Sequence, residues 1–217
     1  ATFAEGKKDI RELRVHHLFT GKKQDLQTAF KRYDGAEMND KWEVVDGAMH
    51  LKGKGGGTII TYNQYGDFEL TLEWKISKNG NSGIIFRTQQ GDKRSYFTGP
   101  EIQVIDNTYV GKGNVKLKKA QKAGSLYDLV AADPTAAKPV GQWNKAKIRL
   151  KNNQLTHWLN GKKVIDIKMH SDKWNKLVAN SKFSKWKKFG KMKKGHIAFQ
   201  DHGDEVWFRN ITVEVLD

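Results

Sequence analysis

The chain has 217 residues, a formal net charge of +15 and no cysteine. This length fits a single domain with a core large enough to fold without disulfide bonds. The absence of cysteine excludes a disulfide framework, a thiolate nucleophile and a cysteine-ligated zinc site. No stretch of the sequence reaches the roughly 18 apolar residues of a transmembrane helix.

Alternation of apolar and polar residues with a period of two dominates the sequence and predicts β-strands. The clearest run is residues 67–77, whose apolar side chains all lie at even positions. Asp46-Gly47 and Asn160-Gly161 predict hairpin turns, because these pairs supply the positive φ angles of type I′ turns. In chain order the predicted strands are 42–45, 48–51, 58–61, 67–77, 82–89, 101–106, 126–129, 145–151, 155–159, 163–167, 195–200 and 205–216.

The last predicted strand changes phase, since Val206 and Phe208 lie at even positions and Ile211 lies at an odd one. One extra residue near Arg209-Asn210 would restore a single buried face, which is the effect of a β-bulge. Helical signals are few, and the strongest covers residues 179–188, a segment so rich in lysine that a loop is the alternative. We therefore expect strands to dominate the fold.

Many strands with almost no helix predict an all-β fold, a sandwich of two antiparallel sheets. The sequence contains neither an internal repeat nor a linker that would divide it. We therefore expect one domain over residues 1–217, with an N-terminal extension over 1–15 and the β-sandwich over 16–217.

The basic charge is concentrated in two segments predicted to be loops. Residues 112–122 contain five lysines and no acid, and residues 168–194 contain ten lysines and one acid. Such lysines are typical of solvated loops, and we expect at most weak binding to acidic polysaccharides. No nucleic-acid-binding motif is present, so a specific nucleic-acid partner is not expected.

The stretch from Asn81 to Asn107 contains the first candidate site residues. Arg87 lies in a predicted strand, where a buried guanidinium must find a partner or line a cleft. Glu101 and Gln103 share one face of an otherwise apolar strand, and Asp106 joins them only if a bulge turns it. Two carboxyl groups and an amide could provide glycosidic acid–base chemistry. The alternatives are an ion pair at Arg87 or Glu101 and a turn at Asp106.

Two histidines supply further candidates. His202 stands beside Asp201 at the end of a predicted strand, with Gln200 on the side opposite the core. Histidine is the most common acid or base near neutral pH, although an isolated loop histidine is usually only solvated. Either His157 or Trp158 faces outward, and a tryptophan ring can serve as a platform for a sugar or as an ordinary core residue.

Motifs for metals and cofactors are weak or missing. The sequence has no His-Glu-x-x-His pair and no acidic calcium loop. A divalent metal held by His157, His202 and a carboxylate would leave no sequence motif and stays open. We predict no specific cofactor.

Short blocks lie in order between about Leu18 and Val215, over residues 18–21, 42–47, 65–70, 81–87, 101–107, 124–128, 143–144, 157–161, 200–203 and 208–211. Their order and spacing together are specific, and they resemble the 3-keto-disaccharide hydrolase domain family. The sequence departs from the family over residues 22–30, which lack an expected Gly-Trp pair, and in its lysine-rich segments.

The resemblance implies a concanavalin A-like jelly-roll sandwich and a bacterial protein exported to the periplasm or cell surface. It also implies an enzyme acting on glycosides whose sugar C3 is a ketone. The ketone acidifies the hydrogen at C2, so that the C1 substituent can leave by elimination and water can then add. The alternative function is a non-catalytic, lectin-like carbohydrate-binding module on the same fold.

The resemblance, together with this chemistry, also suggests roles for the candidate residues. His202 or Glu101 would be the base, and Asp106 or His157 would act near the leaving group. Arg87 and Gln103 would hold sugar oxygens or the enolate. The remaining candidates for substrate binding are Tyr127, Trp158, Gln200 and Asp201.

Overall fold

The computed structural model describes residues 14–217, which contain thirteen β-strands and two short α-helices. The strands are β1 (Val15–Phe19), β2 (Phe30–Arg32), β3 (Trp42–Val45), β4 (Ala48–Lys52), β5 (Ile59–Thr61), β6 (Phe68–Ile76), β7 (Asn81–Thr88), β8 (Glu101–Ile105), β9 (Asn144–Lys151), β10 (Gln154–Leu159), β11 (Lys162–Lys168), β12 (His196–Phe199) and β13 (Glu205–Val215). The helices are α1 (Lys23–Ala29) and α2 (Asp172–Ala179). Most of the predicted extension over 1–15 lies outside the described residues.

The strands form two antiparallel sheets, which confirms the predicted all-β sandwich. The larger sheet has the order β11–β10–β9–β6–β13–β4–β3, and β1 also pairs with β13. The smaller sheet has the order β2–β5–β12–β7–β8. Side chains from both sheets bury one apolar core, in which Phe68, Phe86, Phe199 and Phe208 are almost fully inaccessible. No helix among residues 14–217 is both long and apolar enough to cross a membrane.

Two predicted strand features are confirmed. Along β6, buried residues alternate strictly with half-buried ones, because successive side chains of a strand point to opposite faces. In β13 the pairing with β6 shifts between Arg209, opposite Glu73, and Thr212, opposite Thr71. This is the predicted bulge, and its residue Asn210 has a φ of 52°.

The predicted strand at 126–129 is wrong. This segment makes only isolated bridges, because Leu126 accepts hydrogen bonds from both Leu129 and Val130 and the chain turns there. Its first residues nevertheless lie along the edge of β8, where Tyr127 N donates to Glu101 O at 2.9 Å. The loop therefore approaches the polar face of β8.

The helical signal at 179–188 does not correspond to a helix, in keeping with the loop alternative for this lysine-rich segment. Helix α2 ends at Ala179, and it begins after Ser171, whose side chain accepts a hydrogen bond from the Trp174 backbone. A separate 3₁₀ turn, Lys182–Lys185, follows it after Ser181. Serine at a helix start satisfies a free backbone N–H, so Ser171 was the available sequence signal. The sequence patterns likewise do not predict α1, β1 or β2.

Candidate active site

A pocket of about 310 Å³ lies on the outer face of the smaller sheet. Its polar lining comes from Asn81 on β7, Glu101 and Gln103 on β8, and Gln200 directly after β12. The alternate residues Ile102 and Val104 point into the core. Because successive side chains of a strand point to opposite faces, Glu101 and Gln103 point outward. The predicted common face of Glu101 and Gln103 is thus present.

Aromatic side chains line another part of the pocket. The 3₁₀ turn Ser95–Phe97 contributes Tyr96 and Phe97, and the turn that follows α2 contributes Phe183 and Trp186. The Trp186 ring centroid lies 4.5 Å from that of Phe97 and 5.6 Å from that of Phe183. Such rings can pack against the C–H groups of a sugar. Sequence reasoning missed all four, although Phe183 and Trp186 interrupt the basic segment 168–194.

The Glu101 carboxyl group is the most perturbed acid of the pocket. Glu101 is only 8% exposed, and its side chain makes no hydrogen bond to any residue in 14–217. Burial raises the pKa of Glu101 to about 8, with Lys182 opposing the rise and Asp128 adding to it. The group is therefore largely protonated at neutral pH and can donate a proton.

One cation stands beside this carboxyl group. Lys182 Nζ lies 2.9 Å from Asp128 Oδ2 and 3.2 Å from the Tyr127 hydroxyl oxygen. Burial opposes the charged ammonium, but its contacts with Asp128 and Tyr127 raise the pKa of Lys182 above its ordinary value. Burial also raises the pKa of Tyr127. Sequence reasoning included Tyr127 but missed Lys182 and Asp128.

Three amide side chains of the pocket are available to a ligand. Gln103, Gln200 and Asn81 make no side-chain hydrogen bond within the described part of the chain. Gln200 is held by its backbone, since its N–H donates to Gly83 O at 3.0 Å and its carbonyl accepts from Ser82 Oγ at 2.8 Å. The amide groups can therefore bind sugar hydroxyl groups without breaking protein contacts.

His202 lies at the mouth of the pocket, with a side chain that is 45% exposed. Its Nδ1 lies 4.0 Å from Asp204 Oδ2, and Asp204 in turn accepts a hydrogen bond from Asn81 N at 3.0 Å. An imidazole in this place can exchange a proton with a bound ligand. Sequence reasoning missed Asp204.

Two predicted acid–base residues lie outside the pocket. His157 is fully buried, and its Nδ1 donates to Gly124 O at 3.0 Å, so the ring supports the loop that contains Tyr127. Burial lowers the pKa of His157 to about 4. Burial alone would raise the pKa of Asp106, but hydrogen bonds from Thr108 and from the Asn79 backbone lower it. Asp106 therefore closes a turn, which was the alternative interpretation.

Three predicted substrate-binding residues also lie elsewhere. Arg87 is buried and forms an ion pair with Asp67 at 3.1 Å, the alternative recognised from the sequence. Asp201 accepts hydrogen bonds from three backbone N–H groups, those of Gly55, Gly57 and Gly203, and lines an adjoining groove. Trp158 lies on the larger sheet, with Lys147 Nζ 4.4 Å from its ring centroid. The pocket thus contains Glu101, Gln103, Tyr127, Gln200 and His202 of the ten candidates.

No group of three or more histidine, aspartate or glutamate side chains is arranged to hold a metal ion in residues 14–217. The proposed metal set of His157, His202 and a carboxylate does not form, because His157 is enclosed in the core while His202 is exposed.

Residues 15–214 match the model of the 3-keto-alpha-glucoside-1,2-lyase-like domain. The chain belongs to this family. A 3-keto-disaccharide hydrolase from Bacteroides thetaiotaomicron is 35% identical over an alignment of 228 positions, gaps included, which covers 92% of this chain and 78% of that protein. The resemblance seen in the sequence blocks is therefore confirmed.

Solved structures agree with this assignment. A Parabacteroides distasonis protein provisionally assigned to the glycosyl hydrolases shares 30% identity and a TM-score of 0.86, covering 97% of this chain and 98% of that one. The carbohydrate-binding module CBM66 of Bacillus subtilis, at 14% identity and a TM-score of 0.54, covers 86% of this chain and 96% of its own and shares the fold alone. The family member described here is a glycoside hydrolase-like enzyme.

Proposed function

We propose that this enzyme cleaves 3-keto-glycosides by eliminating the C1 substituent and then hydrating the product. The observation that supports the proposal is Glu101, a carboxyl group that faces a sugar-sized pocket, lacks a protein hydrogen bond within residues 14–217 and has a pKa raised to about 8. The name of the Bacteroides thetaiotaomicron relative, a 3-keto-disaccharide hydrolase, supports the substrate class.

In the first step, His202 removes the proton from C2, which the neighbouring C3 ketone makes acidic. The electron pair of the C–H bond enters an enolate over C2, C3 and the ketone oxygen. When the enolate collapses, a C1=C2 double bond forms and the bond from C1 to the leaving oxygen breaks. Protonated Glu101 gives its proton to that oxygen.

In the second step, water adds across the C1=C2 double bond. Ionised Glu101 accepts a proton from the attacking water while the oxygen of that water bonds to C1. Protonated His202 returns a proton to C2. Both residues regain their starting protonation, and the sum is hydrolysis of the glycosidic bond.

The charge that develops on the ketone oxygen needs electrostatic stabilisation. The Lys182 ammonium and the amide N–H groups of Gln103 and Asn81 are among the hydrogen-bond donors that line the pocket. Fixed donors in a site with little water stabilise a developing oxyanion more than solvent does. We assign these three residues to the enolate and to neighbouring sugar oxygens.

The alternative is a lectin-like module, which would use the aromatic wall and the amides alone. Binding a neutral sugar gives no reason to keep a carboxyl group desolvated and protonated, because burial of that group costs folding free energy. The raised pKa of Glu101 therefore favours the enzyme.

The test measures aglycone release from a panel of 3-keto-glycosides. Glu101→Gln and His202→Ala should each lower kcat by about 100-fold or more, since general acid–base catalysis contributes about that much. The exposed residues Glu205 and His17 supply the matched controls Glu205→Gln and His17→Ala, which should retain activity. Binding of the keto-sugars without release from any of them would favour the module.

A solvent-isotope experiment tests the elimination itself. In D₂O, elimination and hydration place deuterium at C2 of the released sugar, because the returning proton comes from solvent-exchanged His202. As a control, the released 3-keto sugar is incubated with the enzyme in D₂O for the same time, which measures how much deuterium enters C2 without cleavage. Release of sugar without deuterium at C2 would contradict the mechanism.

We also propose weak binding of acidic polysaccharides by the lysines of residues 185–194. All six of these lysines are exposed, and within residues 14–217 only Lys188 has a carboxylate within 4.0 Å, that of Asp92 at 3.6 Å. Replacing them by glutamine should abolish binding to an acidic polysaccharide at low salt, and unchanged binding would contradict the proposal. Export to the periplasm or cell surface stays a prediction.

A further inference from the structure

A groove of about 640 Å³ adjoins the candidate pocket. Tyr96, Gln200 and His202 line both spaces, so a ligand can extend from one into the other. The rest of the groove comes from the end of β2, from the loop before β5, from residues 93–95 and from Asp201 and Gly203 after β12. A sugar in the pocket can therefore direct its C1 substituent past His202 into this groove.

The groove has an excess of positive charge. Lys54, Lys93 and Arg94 are exposed along it, and none has a carboxylate within 4.0 Å among residues 14–217. The fourth cation, Arg32, is already paired, since its Nε donates to Asp34 Oδ1 at 3.0 Å and its Nη2 lies near Oδ2.

The two carboxylates that line the groove are committed to protein contacts. Asp34 binds Arg32 and also accepts a hydrogen bond from Ala36 N at 3.1 Å. Asp201 accepts from the backbone N–H groups of Gly55, Gly57 and Gly203. Neither carboxylate lies within 4.0 Å of Lys54, Lys93 or Arg94, so these cations have no direct ion-pair partner in the groove.

We propose that the groove binds the leaving group of the substrate, and that this leaving group has an anionic substituent such as a carboxylate. The inference rests on the proposed function, because it assigns the aglycone of the glycoside cleaved in the pocket. Arginine and lysine form charge-assisted hydrogen bonds with oxyanions, and arginine can bind both oxygens of one carboxylate. Attraction by exposed cations also speeds capture of a charged ligand at low salt.

The experiment compares two synthetic 3-keto-glucosides of similar shape, one of 4-hydroxybenzoate and one of 4-hydroxybenzamide. The enzymes are wild type, the double variant Lys93→Gln/Arg94→Gln and a matched control, Lys116→Gln/Lys151→Gln. The control removes two exposed lysines that line neither space and have no ion pair within residues 14–217. The readout is the ratio of kcat/KM for the acid to that for the amide.

Wild type and the control should prefer the acid by about three- to tenfold at low salt, the range expected for one or two exposed ion pairs. The preference should shrink with added salt and should fall to less than half of its wild-type value in the Lys93/Arg94 variant, which keeps only Lys54 of the three unpaired cations. Equal ratios in all three enzymes would overturn the inference. Failure of wild type to cleave either glucoside would instead overturn the proposed function.

Discussion

On the outer face of the smaller sheet, the Glu101 carboxyl group lies where a side chain on Gly83 would be. A Cβ atom placed on Gly83 would lie 1.8 Å from Glu101 Oε1 and 2.7 Å from Cδ of the same carboxyl group. No real pair of atoms approaches so closely without bonding, so the missing side chain of Gly83 creates the room in which the carboxyl group lies. The glycine on β7 thus permits the observed position of the acid on β8.

We therefore expect Gly83→Ala to displace the Glu101 carboxyl group and to lower kcat by about 100-fold, since a misplacement of about 1 Å can cost that much. The secondary structure should remain, which circular dichroism can check. Gly111→Ala is the matched control, because a Cβ there meets its nearest neighbour at an ordinary 3.6 Å. Full activity in Gly83→Ala would show that the position of the carboxyl group is unimportant.

The activity should fall at alkaline pH. If Glu101 must be protonated to donate to the leaving oxygen, kcat/KM falls about tenfold per pH unit above a pKa of about 8. The residual activity of Glu101→Gln should lack this alkaline limb. A wild-type profile that stays flat well above pH 8 would exclude Glu101 as the acid.

The same group should destabilise the protein at higher pH. A glutamate has an ordinary pKa of 4.5 and folded Glu101 one of about 8, so between these values the folded state keeps a proton that the unfolded state releases. The free energy of unfolding therefore decreases as the pH rises through this window. Glu101→Gln should be more stable than wild type by about 2–4 kcal/mol at pH 8 and similar at pH 4.

Urea unfolding at both pH values measures this difference, with Glu205→Gln as the control for loss of an exposed carboxylate. A variant that is more stable but nearly inactive would indicate that the carboxyl group is retained for chemistry. Equal stability of Glu101→Gln and wild type at pH 8 would contradict the raised pKa.

His157 should weaken the fold in acid. Its ordinary pKa is 6.5 and its folded value is about 4, so between pH 6.5 and 4 only the unfolded state binds the proton. Stability is therefore complete above pH 6.5 and is lost as the pH falls through this window, by about 2–3 kcal/mol. In His157→Gln the loss should be smaller than in wild type.

Thermal unfolding at pH 7 and pH 4.5 checks this expectation, and exposed His17→Gln serves as the control. Some acid sensitivity should persist, since burial also lowers the pKa of His196. The same acid loss in wild type and His157→Gln would show that another group is responsible.

Substitution of Arg87 should affect stability and not substrate binding. Its guanidinium donates to Gly66 O at 3.0 Å and pairs with Asp67, and Arg87→Met leaves that carboxylate without its buried partner. Loss of one member of a buried pair costs about 3–5 kcal/mol. In Arg149→Met, which breaks a more exposed pair with Glu69, the cost should be below about 1 kcal/mol. A raised KM with unchanged stability in Arg87→Met would support the original substrate-binding prediction.

Much of the fold could be predicted because alternation with a period of two is local. The pattern of β6 and the phase change at Asn210 each depend on neighbouring residues alone, and both are confirmed. The segment at 126–129 has apolar residues at both ends, but its turn at Leu126 depends on hydrogen bonds that the pattern does not encode.

The site was harder to predict, because its members come from distant parts of the chain. Glu101 and Gln103 could be recognised as polar residues on an apolar strand. Whether Arg87 or Asp106 joins them depends on partners such as Asp67 and Thr108, which only tertiary structure reveals. Lys182 could not be distinguished by sequence from the other lysines of its segment, since its proximity to Asp128 depends on how the chain folds back.

The folding back of residues 182–186 over the pocket has a consequence for how the family diversifies. The proposed proton-transfer groups, Glu101 and His202, lie on or next to strands, while the aromatic rings of Phe183 and Trp186 come from a connection between two strands. Such connections accept insertions and substitutions more readily than paired strands do. Substitutions in this connection can therefore change which sugars bind, while the groups on and next to the strands keep the same reaction.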